Sequence, residues 1–440
     1  MSTDELIASL CAGGRVDSDG EFTLDREQAR EKLRTFQVAE PHRYVLHVVA
    51  LAVLRGATRV RFEIETGELR ARFDGEPLAA QDFEDLYSSS FAGSPRAAEQ
   101  ARQQLALAIN AALALDPRHV QVTSGPPGAR VRLTARHGAE DRIAAVVEGG
   151  EGTEIHVLQR VRPGLVVRFF RSARGALPEL LALRERCRYS PIPIEVGGET
   201  IGGRLAIEAP GAVFEATQTD AAGRACVAAL RPGRAPEVRL VRHGVWIESV
   251  SPEYLPPEAF AVVRDDRLAT DLSATQAVRG DRFAGCVALA EATIELAIVA
   301  WLATLGGAVP AASRAGVRRI WRAWRRAQDP GAPLGRALAE LPWWTDLFGR
   351  TLSLRQLRAA ADAEGVVYFT STTFAERLKR WDETVGAAPR GPGGELNEDL
   401  LLLRELFAER VRDRTRELER AVRREANRRR WLARPTRPAL

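Results

Sequence analysis

An α+β protein is what the sequence predicts, and three observations carry that expectation. In the first 160 residues a strongly apolar helical run is followed by two alternating segments, an Ala- and Gln-rich helical stretch, and four more short alternating segments. After Pro163-Gly164 a helical stretch leads into a second series of alternations that ends at GVWIESV. From about Arg282 onward the pattern becomes helical. Helices gathered on one face of a mostly antiparallel sheet, repeated once and followed by a helical region, are the simplest layers that bury all these faces.

Taken in order, residues 25–36 predict an opening helix. PHRYVLHVVALAVLRGA is apolar enough to lie buried against a sheet. TRVRFEIE and ELRARFDG alternate and are joined at Thr66-Gly67, which predicts a hairpin. Residues 95–115 predict a helix, and HVQVTSG, ARVRLTARHG, RIAAVVEGG and TEIHVLQRV predict strands. PIPIEVGGETI, RLAIEA and the alternations after them predict a second sheet. ALAEATIELAIVAWLATLGG opens a stretch that stays uncharged for 18 residues after Glu295, near the length of a membrane span. Glu291 and Glu295 on one side and Gly306, Gly307 and Pro310 on the other argue instead for a buried helix and no membrane span. A Pro/Gly-rich break, GAAPRGPGGELN, precedes a last helix over residues 398–431. The expected division is 20–163, 164–300, 301–390 as a continuation of the second region, and 391–440 as an Arg-rich C-terminal helix.

With 440 residues, 45% of them apolar and 28% charged, the chain has the composition of an ordinary globular protein. Its net charge is +5, and Lys occurs only at Lys32 and Lys379, so the basic character is almost all arginine. Along most of the chain Arg alternates with Asp and Glu, as on a solvated surface. Cys11, Cys187, Cys226 and Cys286 are far apart and form no C-x-x-C, so neither a disulfide framework nor a zinc site is expected. The N-terminus carries acids early and lacks a basic stretch followed by an apolar run. A cytoplasmic location is the expectation.

Three segments of the first region carry a resemblance. VLHVVALAVLRGATRVRFEIE resembles the first signature of the GHKL ATPases, E-L-x-x-N-x-x-D-A followed by a V-x-V strand. LRARFDGEPLAAQDF is similar to their second, D-x-G-x-G followed by an acid, and EGTEIHVLQ to their closing G-T-x-I-x-L strand. Three later segments, LLALRERCRYSPIPIEV, FAVVRDDRLATDLSATQ and TLSLRQLRAAADAEGVVYFTST, resemble the middle domain of the ninety-kilodalton heat-shock (HtpG-like) chaperones, in the same order. The six cover roughly residues 20–372. The resemblance implies an N-terminal GHKL (Bergerat-type) α/β sandwich, a middle α/β domain and a helical C-terminal region. It also implies ATP hydrolysis as the family activity and protein folding as its purpose.

The residues that chemistry would need are mostly replaced. In such a site a helix Glu polarises the attacking water, and the matching position is His47. On an apolar run a His is more often a hydrogen-bonded core residue. The Asn four residues on supplies an oxygen to Mg²⁺, and here it is Leu51, which has none. The Asp that accepts the adenine amino hydrogen bond falls on Phe73. A shift of one residue would bring in Asp74 but turn it to the other face of the strand. Gly75 remains, while the second Gly of the motif is Pro77. The stretch ARQQLALAINAALA has no Gly to cradle phosphate. Gly93, Gly152 and Thr153 are what remain of the pocket. The middle-domain Arg that would reach the γ-phosphate is Ala274, after Ser273. No catalytic residue is therefore assigned with His47 and Ala274 as they stand, and neither a metal nor any other cofactor is expected. ATP with Mg²⁺ enters only if the divergent pocket works.

Two further stretches stand out. GVRRIWRAWRRAQ interleaves arginines with Trp321 and Trp324, and its simpler explanation is an aromatic core face with a solvated Arg face. Trp343-Trp344 is expected to pack, or else to meet a client. Residues 420–437 hold eight Arg and one acid, which suits an anionic partner. The expected function is that of a pseudo-ATPase: a non-catalytic, chaperone-like protein-binding or scaffold factor with protein clients or partner proteins, a homodimer among its expected assemblies. Two alternatives stand beside it. One is an active ATP-dependent chaperone in which His47 and Asp74 substitute. The other is a nucleic-acid-associated factor using the Arg-rich helices.

Overall fold

The computed structural model describes residues 40–84, 86, 97–147, 150–160, 177–207, 212–252, 255, 258–271, 276–306, 309–327, 332–370, 385–386 and 397–432. The helix expected over residues 25–36, Gly93, Ser273 and Ala274 lie outside the described residues. The chain forms two compact units. The first takes residues 1–204 with 242–246 and 270–275, and the second takes the remainder.

In the first unit the apolar run forms α1 (Tyr44–Leu54), followed by the hairpin β1 (Val60–Ile64) and β2 (Glu68–Phe73). A short α2 (Ala80–Glu84) and the long α3 (Ala97–Leu113) come next. Then come β3 (His119–Ser124), β4 (Arg130–Arg136), β5 (Ala139–Val146) and β6 (Thr153–Leu158). The unit closes with α4 (Pro178–Arg186), β7 (Pro193–Val196) and β8 (Glu199–Gly202). The sheet order is β5-β4-β3-β6-β2-β1-β7-β8. Alternation sorts its two faces. Val60, Phe62, Leu69, Ala71, Val120, Val122, Ile155 and Val157 share one buried cluster with α1 and α3. Between them, Arg61–Glu195, Arg72–Glu63 and Arg72–Glu154 form cross-strand ion pairs on the polar face.

β7 and β8 correct the expectation that PIPIEV opens a second sheet. β7 pairs in parallel with β1, with Val60 opposite Ile194, so the sheet is mixed and the first unit runs on past residue 163. The free edge of β1 is the physical reason: its backbone groups find partners in β7, and Ile194 and Val196 join the same apolar cluster.

The second unit is built on β9 (Val213–Thr219), β10 (Ala225–Leu230), β11 (Glu237–Arg242), β12 (Val245–Val250) and β13 (Ala259–Arg264), in the order β12-β11-β13-β10-β9. Across it lies α5 (Asp281–Thr304), the helix long and apolar enough to cross a membrane by length and composition. Cys286, Ala290, Ile294, Ile298 and Leu302, four apart, form a stripe within the unit's core cluster. The Glu295 carboxylate accepts the Leu334 backbone N–H at 2.7 Å.

The helical region continues with α6 (Ala311–Ala327), α7 (Pro333–Glu340), β14 (Pro342–Thr345), β15 (Thr351–Ser353) and α8 (Leu354–Glu364). It ends with β16 (Val367–Thr370), β17 (Val385–Gly386), α9 (Glu398–Phe407), β18 (Val411–Asp413) and α10 (Thr415–Leu432). The single helix expected over 398–431 is thus two, separated by β18. The break is local and tertiary at once. Ala408 adopts φ +47°, and residues 411–413 pair in parallel with β16.

Candidate functional site

α1 and the β2 end bring together the residues that the sequence marks as a pocket. His47 and Leu51 are four apart on α1 and share a face. From His47, Nδ1–H donates to Gln104 Oε1 on α3 at 2.9 Å. Burial lowers the His47 pKa, against the Gln104 hydrogen bond, which raises it. The imidazole is therefore neutral at pH 7, with one nitrogen committed to α3. Leu51 is fully buried, in one apolar cluster with Phe73, Leu78, Phe83 and Leu86. These are large side chains from α1, the end of β2 and the segment around α2, and they pack as core.

Phe73 and Asp74 part at the end of β2. Phe73 stands opposite Val60 and Thr153 in the ladder and is buried. Asp74 turns the other way. Its Oδ1 accepts the backbone N–H groups of Thr58 (2.8 Å) and Arg59 (3.2 Å), and its Oδ2 accepts the Thr58 hydroxyl. Desolvation raises the Asp74 pKa, but these donors outweigh it and hold the carboxyl below its ordinary value. Asp74 clamps the turn between α1 and β1, the turn that the Gly-Ala-Thr of the sequence makes.

Gly75 is needed by the backbone. At φ +99° a side chain there would be strained, and its Cβ would lie 2.6 Å from Arg55 O and 2.8 Å from Ala57 N. The Glu76 N–H donates to Arg55 O at 2.8 Å, and the Arg55 side chain donates to the carbonyls of Glu76 and Pro77. The segment after β2 is thereby fastened to the C-terminal end of α1. Gly152 serves a similar close approach, with Phe73 O 2.3 Å from where its Cβ would be. Thr153 Oγ1 is 2.7 Å from Ser124 Oγ, which in turn accepts the Leu78 N–H at 2.8 Å. Ser124 and Thr153 are both buried. This hydroxyl pair pins the loop that carries Leu78 over the end of the sheet.

Gln104, Ser124, Arg55 and Thr58 were not singled out by sequence. Gln104 lay in view as a polar residue on the inner side of an Ala-rich helix. Ser124 had no signal beyond its place at a strand end. Phe73, Asp74, Gly75 and Thr153 lie together where β2 ends, beside the turn after α1, His47 and Leu51 lie on α1, and Gly93 and Ala274 lie outside the described residues. A cavity of about 400 Å³ opens elsewhere, between Arg61, Glu63 and the Val196–Thr200 turn, and none of those residues lines it. Among the described residues no three His, Cys, Asp or Glu side chains group as metal ligands. The buried thiols are held protonated, with burial pushing Cys226 and Cys286 up to about 12.

No family model matches the chain, and no curated protein matches it. Among solved structures it is similar to the B subunit of DNA gyrase from Myxococcus xanthus, at 16% identity and a TM-score of 0.41, over 61% of this chain and 95% of that one.

Proposed function

We propose that this protein is a non-catalytic, chaperone-like protein-binding or scaffold factor, a degenerate relative of the GHKL ATPases of the ninety-kilodalton heat-shock type. One observation carries the proposal: Leu51 and Phe73, at the positions implied for the metal ligand and the adenine contact, are core residues in a single apolar cluster. A magnesium nucleotide needs oxygen ligands and a polar edge for the base. The residues here do not fit one. Leu51 offers hydrocarbon, Asp74 spends its carboxylate on the α1–β1 turn, and the His47 ring is desolvated and tied to Gln104. Two chaperone-like segments beyond β8, FAVVRDDRLATDLSATQ and TLSLRQLRAAADAEGVVYFTST, support the chaperone branch, and the mixed sheet under α1 and α3 is the setting that such a domain requires.

The test is suppression of aggregation of a heat-denatured reporter enzyme by the full chain, with and without ATP and Mg²⁺. Equal suppression in both conditions is expected. Suppression that ATP switches off, or none at any ratio of chain to reporter, overturns the proposal.

A further inference from the structure

The arginines of the second unit are treated in two different ways. On α6, the arginines whose side chains are described, Arg314, Arg318, Arg319 and Arg322, are neutralised. Arg314 and Arg318 share Asp399 at 3.0 and 3.1 Å, Arg322 reaches Glu398 at 3.1 Å and Glu405 at 3.5 Å, and Arg319 pairs with Glu258. Trp321, on the same helix, is buried between Trp343 and Trp344, with ring centroids 5.1 and 5.2 Å away. As far as Arg322, the basic-aromatic stretch is therefore an aromatic core with a paired Arg face, and the buried Trp343-Trp344 presents no surface to a client.

On α10 the pattern is reversed. The helix has seven arginines against three glutamates. Its apolar side is used within the unit: Leu418 is fully buried against Leu347, with Phe348 and Ala421 packed beside them. The opposite side carries Arg416, Arg420, Arg423 and Arg424, all exposed and, among the described residues, without an ion-pair partner. At 100° per residue these four fall within about a third of the helix circumference. Of the helix acids, Glu417 and Glu419 flank the stripe on its two edges and Glu425 lies on the far side; Glu417 pairs with Arg414, and Glu425 with Arg428 and Arg429.

We propose that this stripe is a binding surface for the phosphodiester backbone of duplex nucleic acid. Four guanidinium groups over about 12 Å of helix face a polymer with one charge per roughly 1.7 Å of its axis. A guanidinium fork matches phosphate oxygens in pairs, which a lysine stripe would not do. Asn427, also exposed, continues the same line. A lipid surface is the poorer fit, because an interfacial helix buries its apolar face among acyl chains, and here Leu418 and Ala421 already pack on Leu347 and Phe348.

The test is fluorescence anisotropy of a labelled DNA duplex with the full-length chain over a salt series. Each arginine at a phosphate contributes about 0.9 to the slope of log K against log salt. The variant with Arg416, Arg420, Arg423 and Arg424 all changed to Gln is expected to lose about 3 to 4 of that slope, and Arg416→Gln with Arg420→Gln about half as much. Unchanged melting temperatures show that the exposed positions leave the fold intact. Absence of duplex binding at low salt, or an unchanged slope in the fourfold variant, overturns the proposal. So does tighter retention on phosphatidylserine vesicles than on duplex at equal phosphate concentration.

Discussion

At the end of β2 one step of strand register decides which side chain enters the core. Had Asp74 stood where Phe73 stands, a carboxylate would lie buried in the first unit's apolar cluster beside Val60, at a cost of several kcal/mol unless something paired with it. The sequence placed Phe73 inward by alternation, and the ladder with Val60 agrees. What it did not disclose is the task of Asp74, because a turn fifteen residues upstream leaves no local mark. His243 is a second residue whose setting was hidden. It sits buried at φ +47° in the turn between β11 and β12, and burial, with Arg242 adding to it, drives its pKa down to about 3. The unfolded chain takes up this proton below pH 6.5, while the folded one refuses it until about pH 3. This contribution to stability is complete above pH 6.5 and is lost as pH falls towards 3, about 2 kcal/mol of it by pH 5. His47, also lowered by burial, acts in the same direction. His243→Asn, which tolerates the left-handed backbone, is expected to reduce the fall in urea-unfolding free energy between pH 7 and pH 5 by about 1–2 kcal/mol. An unchanged fall contradicts it.

At the scale of elements, α6 and α10 show what a charge pattern reveals and what it hides. The four-residue spacing of Ile320 and Trp324 marked a buried stripe; Ile320 is buried, as is Trp321 beside it, while the side chain of Trp324 lies outside the described residues. The neutralisation of the opposite face comes from Glu398 and Asp399, some eighty residues later, at the start of α9. Complementarity over that separation cannot be read from either segment. Asp399 is the acid that matters most, since Arg314 and Arg318 both bond to it and all three are mostly buried. Asp399→Asn is expected to destabilise the chain by about 1–3 kcal/mol in urea unfolding, since it weakens two charge-assisted hydrogen bonds at once. Loss below about 0.5 kcal/mol, the size typical of an exposed pair, would contradict the role given to it. The division of the last helical stretch into α9, β18 and α10 was hidden for a related reason. LFAERVRDRTRE has helical composition throughout, and pairing of Val411–Asp413 with β16 prevails over that propensity.

Over the whole chain, the α+β class and the succession of helices and strands were legible because each apolar face has its own period. The division between units was not. Pro163-Gly164 is strong local punctuation, but β7 finds its partner in β1, more than 130 residues earlier, and only the tertiary pairing reveals it. Of the candidate site, the alternation that turns Phe73 and Asp74 to opposite sides was legible, while the partners of His47 and Asp74 lie on other elements and left no local sign. The contacts that the site residues make are a capped turn, a backbone approach, a hydroxyl pair and a packed core. What separates this from a divergent but working pocket is whether nucleotide binds at all. Isothermal titration of the full-length chain with ATP in the presence of Mg²⁺ decides it. A core filled by Leu51 and Phe73 predicts no saturable heat up to about 1 mM ATP, whereas a saturable isotherm with a micromolar Kd, lost when Mg²⁺ is chelated, would contradict it.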